Sequence, residues 1–209
     1  MSHEERFDVI AWADGSPTGA TVLRRVAHAD GTPHAALHLW VGSCDAGIWH
    51  LHFQRRAPHK ETFPDLLDAT VGGHLRAGET WEDGLRETEE EIGIAVDPKR
   101  CRLVMRRPFE VRTGRIWDRE WLEDYATRDD RPLAAYSFPD GEATALVRVP
   151  FEGLRRLVRD PAAKIPAQQW DGKSTTRIEV GLPSFNPHYF RGDFLEKVLS
   201  SLEGQGGRA

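Results

Sequence analysis

The sequence predicts an α+β fold: a mixed β-sheet sandwiched between helices in α/β/α layers, followed by a C-terminal extension. Three observations carry that reading. Short apolar, β-compatible runs recur at 7–12, 35–41, 48–54, 101–111, 133–138 and 143–149. Two stretches, 151–159 and 191–202, space their apolar residues for a helix. A third, 82–92, is rich in helix formers and closes on Gly93. Strands mixed with a few helices bury their apolar faces by stacking in layers.

In chain order, FDVIAW (7–12) reads as a strand and Asp14-Gly15-Ser16-Pro17 as a turn. Residues 20–27 suit either an extended or a helical piece. A central strand is expected at 35–41, and Asp45-Ala46-Gly47 turns it back into IWHLHFQ (48–54). There Ile48, His50 and His52 alternate with Trp49, Leu51 and Phe53, and Arg55-Arg56 end the run. Residues 57–71 read as a Pro- and charge-rich loop closing on a short strand at 67–71. After the Glu-rich helix, Asp97-Pro98 stops any continuation and a strand follows at 101–111. Residues 112–123 are polar, with Trp117 and Trp121 embedded, and suggest no element. Strands at 133–138 and 143–149 flank the Pro139-Asp140-Gly141 turn.

Pro150 precedes a helix whose apolar stripe is Phe151, Leu154, Leu157 and Val158. Residues 160–188 read as an arm or lid with a short strand at 176–180. The last helix carries Phe194, Leu195, Val198, Leu199 and Leu202, and the tail from 204 to 209 should fray. Two parts are therefore expected: a domain over 1–159, and an arm and helix over 160–209 that pack on it.

Composition narrows the function. In 209 residues, 39% are apolar and 29% charged, the balance of a soluble globular chain. A net charge of −5 argues against a nucleic-acid polymer as partner, which needs a basic face. No run approaches the ~20 apolar residues of a membrane span, and MSHEERFDVIAW lacks the basic-then-apolar order of a secretory signal. Cys44 and Cys101 form no CxxC pair, so a reduced, cytoplasmic protein is expected.

The chemistry concentrates in GGHLRAGETWEDGLRETEEEIGI (72–94). On a helix Glu87, Glu90 and Glu91 stand at i, i+3 and i+4 and share one face, with Arg86 beside them. Like charges so placed repel by a few tenths of a kcal/mol per pair. A divalent cation relieves that repulsion, and all-oxygen ligation suits hard ions, Mg²⁺ or Mn²⁺, that also hold phosphates. The stretch resembles the Nudix box, G-x5-E-x7-R-E-U-x-E-E-x-G-U, through Gly73, Glu79, Arg86, Glu87, Glu90, Glu91, Gly93 and Ile94. It departs twice. Six residues separate Glu79 from Arg86 where the box has seven, and Thr88 stands at an apolar position.

That resemblance implies the Nudix fold and hydrolysis of an X-linked diphosphate, a small-molecule substrate. Glu87, Glu90 and Glu91 would be metal ligands, one of them also orienting or deprotonating the attacking water, Glu79 a weaker ligand or supporting group, and Arg86 the cation that fixes the helix face. Gly72 and Gly73 would let backbone amides approach phosphate. Arg55, Arg56 and Lys60 would hold the diphosphate, Arg in a bidentate manner; solvated strand-end charges are the plainer reading. Glu142 is either a further acid of the site or a surface turn residue. Among Trp117, Trp121, Trp170, Phe185 and Tyr189, some would line a pocket and most would pack the core.

The flanking run from Gln54 to Glu79 is similar to the isopentenyl-diphosphate isomerase-like branch of that superfamily, through Arg55, Arg56, Lys60, Pro64, Leu67 and Asp68. The isomerase places a catalytic cysteine where this chain has Gly72, which disfavours isomerisation because moving a proton on and off carbon needs a positioned acid and base. The resemblance further implies a second metal site: His28 and His34, His74 after Gly73, and Asp118 and Glu120 in WDREW. A hydrolase is thus expected first, an isomerase second. A silent binding module is the third class, which would have no use for three clustered carboxylates. The C-terminal arm could also pair two chains in a homodimer.

Overall fold

The structure, a computed structural model, describes residues 5–206. The first four residues, part of the segment read as lacking a signal, and residues 207–209 of the expected frayed tail lie outside it. The elements are β1 (Arg6–Ile10), β2 (Pro17–Leu23), α1 (Arg24–Asp30), β3 (His34–Asp45), β4 (Ile48–Arg56), β5 (Leu67–Asp68), β6 (Val71–His74), α2 (Trp81–Gly84) and α3 (Arg86–Ile92). They continue with β7 (Arg102–Thr113), β8 (Ile116–Arg128), β9 (Ala143–Pro150), α4 (Phe151–Arg159), β10 (Lys164–Trp170), β11 (Thr175–Gly181) and α5 (Phe194–Glu203).

One mixed sheet runs β11-β10-β9-β4-β3-β1-β2, and β3 is its hub. Its first half pairs antiparallel with β6 on one side and in parallel with β8 on the other, from His34↔Glu120 to Gly42↔Arg128. Its second half forms a hairpin with β4. Ala46 and Gly47 take positive φ at that turn, the conformation an Asp-Ala-Gly hairpin loop requires.

Alternation along β3 sets the layers. Leu37, Leu39 and Val41 pack with Leu85, Ile92 and Ile94 around α3. Trp40, on the opposite face, packs with the buried stripes of α4 and α5, including Leu154, Leu157, Val198, Leu199 and Leu202. The sheet therefore lies between helices, the α/β/α arrangement expected. Each fully buried Leu or Val contributes about 1.5–3 kcal/mol of transfer free energy.

The structure corrects several boundaries. The ambiguous stretch 20–27 is both things: β2 ends at Leu23 and α1 starts at Arg24. The short strand at 67–71 is two strands, β5 on β4 and β6 on β3. Residues 112–123 belong mostly to β8, and 133–138 hold no strand but a 3-10 turn at Leu133–Ala135. That run has no sheet partner; Leu133 and Tyr136 plug the core under α3 instead. The 160–188 stretch carries a full hairpin, β10–β11, that extends the sheet beyond β9. Val158 points to solvent, 54% exposed. Gln205 is held rather than frayed, donating to the Ala126 carbonyl and accepting from the Arg128 amide.

The Glu-rich helix is also broken. Thr80 caps α2 in a reciprocal capping box with Asp83. Gly84 packs so closely on Leu75 that a Cβ there would sit 2.5 Å from Leu75 Cδ2. The chain then tightens through Leu85 before α3 begins. This compact capped turn fills the shortened spacing between Glu79 and Arg86. Among the described residues no helix is long and apolar enough to cross a membrane.

Candidate active site

A cavity of about 530 Å³ opens beside β6, with α3 on one flank and β8 on the other. Its walls bring together most of the residues singled out from the sequence: Gly72, Gly73, Glu87, Glu90, Arg56, Lys60 and Glu142, and also His28, His74, Asp118 and Glu120.

The α3 carboxylates have three different environments. Glu90 is nearly half exposed at the cavity edge. Glu87 pairs with Arg86, and burial still holds its carboxyl above the ordinary range. Glu91 is buried; it accepts from Gln54 Nε2 at 3.0 Å and the Gly72 amide at 3.2 Å. Burial first, and then the nearby Glu87 charge, raise the Glu91 carboxyl well above its usual value. Two adjacent carboxylates that both resist ionisation are the donor set that a hard cation relieves.

Arg86 is the organiser. Its Nε donates to Glu79 Oε1 at 2.9 Å, its Nη2 to Glu79 Oε2 at 3.2 Å and to the His74 carbonyl at 3.3 Å, and its Nη1 reaches Glu87 and Glu90. Glu79 therefore stands behind the helix, with Arg86 and the Arg76 amide on its oxygens, and the structure does not bring it to the cavity wall.

The cationic pair splits. Arg56 faces the cavity, held by Asp68 at 3.1 Å and by the Thr62 carbonyl at 2.9 Å. Arg55, expected beside it, points away to Gln169 Oε1 at 3.1 Å and the Asp65 carbonyl at 3.0 Å. Both lie inside β4, where successive side chains alternate. Lys60 Nζ bonds Glu142 Oε2 at 2.6 Å, so Glu142, at the bend before β9 and nearly half exposed, is an ion-paired residue of the cavity wall.

The second cluster is tighter. His28 comes from α1, His34 from the start of β3, His74 from the end of β6, and Asp118 and Glu120 from alternate positions of β8. One ligand atom each from His28, His34, His74 and Asp118 lies within 4.8 Å of the others. His28 Nε2 and His34 Nε2 approach Asp118 Oδ1 at 3.6 and 3.4 Å, and His74 Nε2 reaches Glu120 Oε1 at 3.1 Å.

Four converging atoms, the three Nε2 and Asp118 Oδ1, are buried without a hydrogen-bond partner. Buried polar atoms left so cost about 1–3 kcal/mol each, and one cation bound by these residues would satisfy all four. Burial, then the neighbouring His74, lowers His28 to about 4; the same causes lower His34 to about 3. Neutral imidazoles are the ligating form. His74 is pulled the other way: burial opposes its charge, but Asp118 and Glu120 raise it to about 9. The set fits a metal ion.

Of the aromatic candidates only Tyr189 lines the cavity. Phe185 is core, Trp170 donates to the Tyr136 carbonyl, and Trp117 and Trp121 cover Gly31 and Gly15 on the outer side. Sequence reasoning did not find His38, Asp140 or Asn186, which also line it. Asn186 arrives because its amide bonds the Leu67 carbonyl at 2.9 Å, which seats the C-terminal turn against β5. That contact joins residues more than a hundred positions apart, and no local pattern announces it.

The NUDIX domain model matches residues 45–169. An uncharacterized Nudix hydrolase of Clostridium acetobutylicum is 31% identical over 135 residues, 65% of this chain and 66% of that protein. Nudix hydrolase 3 of Arabidopsis thaliana is 30% identical over 166 residues, 76% of this chain but 21% of that protein. The chain thus spans less than two thirds of the length of these curated relatives. Among solved structures, DR0079 from Deinococcus radiodurans superposes with a TM-score of 0.51 at 23% identity, over 75% of this chain and 90% of that one, which shows a shared fold. With the domain matched across more than half its length, and Gly73, Glu87 and Glu90 of the box on the wall of one cavity, the chain belongs to the Nudix family.

Proposed function

We propose that this chain is a metal-dependent Nudix hydrolase that cleaves the diphosphate linkage of a small molecule, a nucleoside-, prenyl- or other X-linked diphosphate, by attack of water on phosphorus. The observation that carries the reading is the shared cavity: Glu87 and Glu90 face the same space as Arg56 and Lys60. Anionic ligands for a cation and cationic ligands for a phosphate are what one diphosphate needs.

Glu87, Glu90 and Glu91 would hold Mg²⁺ or Mn²⁺, and the His28, His34, His74, Asp118 and Glu120 set would hold a second ion. Bound there, such ions neutralise phosphate charge and lower the pKa of a coordinated water. The chain's own groups do the rest. Arg86 keeps Glu87 and Glu90 on the cavity side of α3. Arg56, braced by Asp68, offers its fork to a phosphate oxygen. Lys60 exchanges Glu142 for the substrate, or Glu142 adds a further acid. Gly72 offers its backbone without an acid–base side chain, so the isomerase reading is not favoured.

The test is a panel of prenyl and nucleotide diphosphates with Mg²⁺ and Mn²⁺, assayed on wild type and Glu90→Gln. Hydrolysis of at least one compound, reduced about 10²-fold in the variant, is expected, the scale of losing a charged catalytic group. Hydrolysis at equal rates by both would overturn the assignment of Glu90. Silence of the wild type on every compound would overturn the hydrolase.

A further inference from the structure

His38 has no part in either carboxylate–metal cluster, yet it lines the same cavity. It lies on β3 opposite Asp124 of β8 in the parallel register, on the Trp40 side of the sheet. Its Nδ1 stands 3.4 Å from Asp124 Oδ1. Asp124 is completely buried; Trp40 Nε1 donates to it at 3.0 Å and Arg107 Nε at 2.9 Å. Burial would raise its carboxyl, but His38, Arg107 and Trp40 together hold it below the ordinary value, so it is ionised. A carboxylate only accepts hydrogen bonds. With Nδ1 turned to that carboxylate, the contact favours the tautomer that carries its proton there, which leaves the lone pair on Nε2.

That Nε2 edge is turned toward Gly72. A Cβ at residue 72 would lie 3.1 Å from His38 Cδ2 and 3.3 Å from Nε2, closer than an ordinary contact. A glycine is therefore what leaves the imidazole edge open at the cavity wall. The other charged or titratable groups facing the ring are Asp68 from β5 and the Tyr189 ring, 6.1 Å away, with Arg107 behind Asp124.

We propose that His38, oriented by Asp124, is the proton acceptor for the attacking water in the hydrolysis proposed above, on which this inference rests. Water oxygen forms a bond to phosphorus and the bridging P–O bond breaks, its electron pair leaving with the departing oxygen. The water proton passes to His38 Nε2, and the imidazolium then returns it to the leaving oxygen or to solvent. A base at Nε2 spares the α3 carboxylates, which are needed as ligands, from also acting as base.

The test compares wild type, His38→Gln and Gly72→Ala with the best diphosphate of the panel. kcat and KM are measured from pH 5.5 to 9, and long-range ¹H–¹⁵N spectra of the metal-free wild type report the tautomer. The expected result is a kcat at least 10²-fold lower in His38→Gln, a KM within about twofold, and loss of the acidic limb of the kcat profile. Gly72→Ala, which crowds the ring, should lower kcat with the limb retained but displaced. The spectra should show the proton on Nδ1 and an unprotonated Nε2 at pH 8. An active wild type whose His38→Gln keeps its rate, or loses rate with an unchanged acidic limb, overturns the inference alone. So does an Nε2–H tautomer. A wild type inactive on every diphosphate overturns the hydrolase reading, and the inference with it.

Discussion

Gly73 and Glu87 touch: a Cβ built on residue 73 would stand 2.5 Å from both the Cγ and Cδ of Glu87. Arg86 grips the same carboxylate. The carboxylate is thus caught between the β6 backbone and a guanidinium, and its place at the cavity depends on residue 73 having no side chain. Gly73→Ala should displace Glu87 by an ångström or so and lower kcat about 10²-fold, the usual cost of such a misplacement. The far-ultraviolet circular dichroism should stay the same. Steady-state hydrolysis with Mg²⁺ checks this; a wild-type rate would mean that Glu87 is not needed at that position.

The histidine cluster makes a prediction that does not depend on turnover. Protein stripped with EDTA should gain stability when Mn²⁺ or Zn²⁺ is restored. At a hundredfold excess over the dissociation constant the gain is about 2.7 kcal/mol, or about 5–10 °C in Tm for a chain of this size. His34→Ala should abolish most of that rise, because His34 Nε2 is one of the converging unpartnered atoms. Differential scanning calorimetry on both proteins decides it, and an equal rise in each would place the ion elsewhere.

How much was legible beforehand follows from where each signal is written. The α3 face was legible because i, i+3 and i+4 spacing is local and its residues are charged. β8 was not, although its period-2 pattern is intact: Asp118, Glu120, Leu122 and Asp124 are all buried, alternating with half-buried residues. Three of those four inward positions are carboxylates, so hydrophobic periodicity could not register them. His38 was invisible for a related reason. Its meaning comes from the parallel pairing with Asp124, eighty-six positions away, which no local pattern encodes. Adjacent arginines suggest a shared phosphate ligand, but β4 runs on to Arg56, so the side chains of Arg55 and Arg56 alternate across the strand. The His28, His34, His74, Asp118 and Glu120 set was readable only through the family resemblance, and the fold does gather it.

Thr88 departs from the apolar residue of the box, and its surroundings show why the departure is tolerated. It is fully buried, and its hydroxyl lies 2.8 Å from the Leu85 carbonyl and 2.7 Å from the Ile94 carbonyl. The hydroxyl thus ties the start of α3 to the chain leaving it after Gly93. Thr88→Val keeps the shape and leaves two buried carbonyls less well satisfied. It should cost about 1–3 kcal/mol, read as a lower urea midpoint with an unchanged slope. An equal or higher midpoint would show that an apolar residue serves as well.

Acid sensitivity has a source outside the cavity. His52 of β4 is 1% exposed; its Nε2 lies 2.9 Å from Ser43 Oγ, and its Nδ1 has no partner. Burial, with Arg148 and His50 adding to it, lowers His52 to about 3 from an ordinary 6.5. The folded chain therefore binds this proton less readily than the unfolded one. The stability tied to the neutral ring is complete above pH 6.5 and is lost as pH falls from there toward 3. At pH 5 the loss amounts to about 2 kcal/mol. His28 and His34 add losses of the same sign in metal-free protein, so the comparison must be a difference between variants. His52→Gln keeps a group able to bond Ser43 but does not titrate. In EDTA, its unfolding free energy should fall by about 2 kcal/mol less than that of wild type between pH 7.5 and pH 5. Parallel declines in urea melts at the two pH values would show that His52 accepts its proton without opening the sheet.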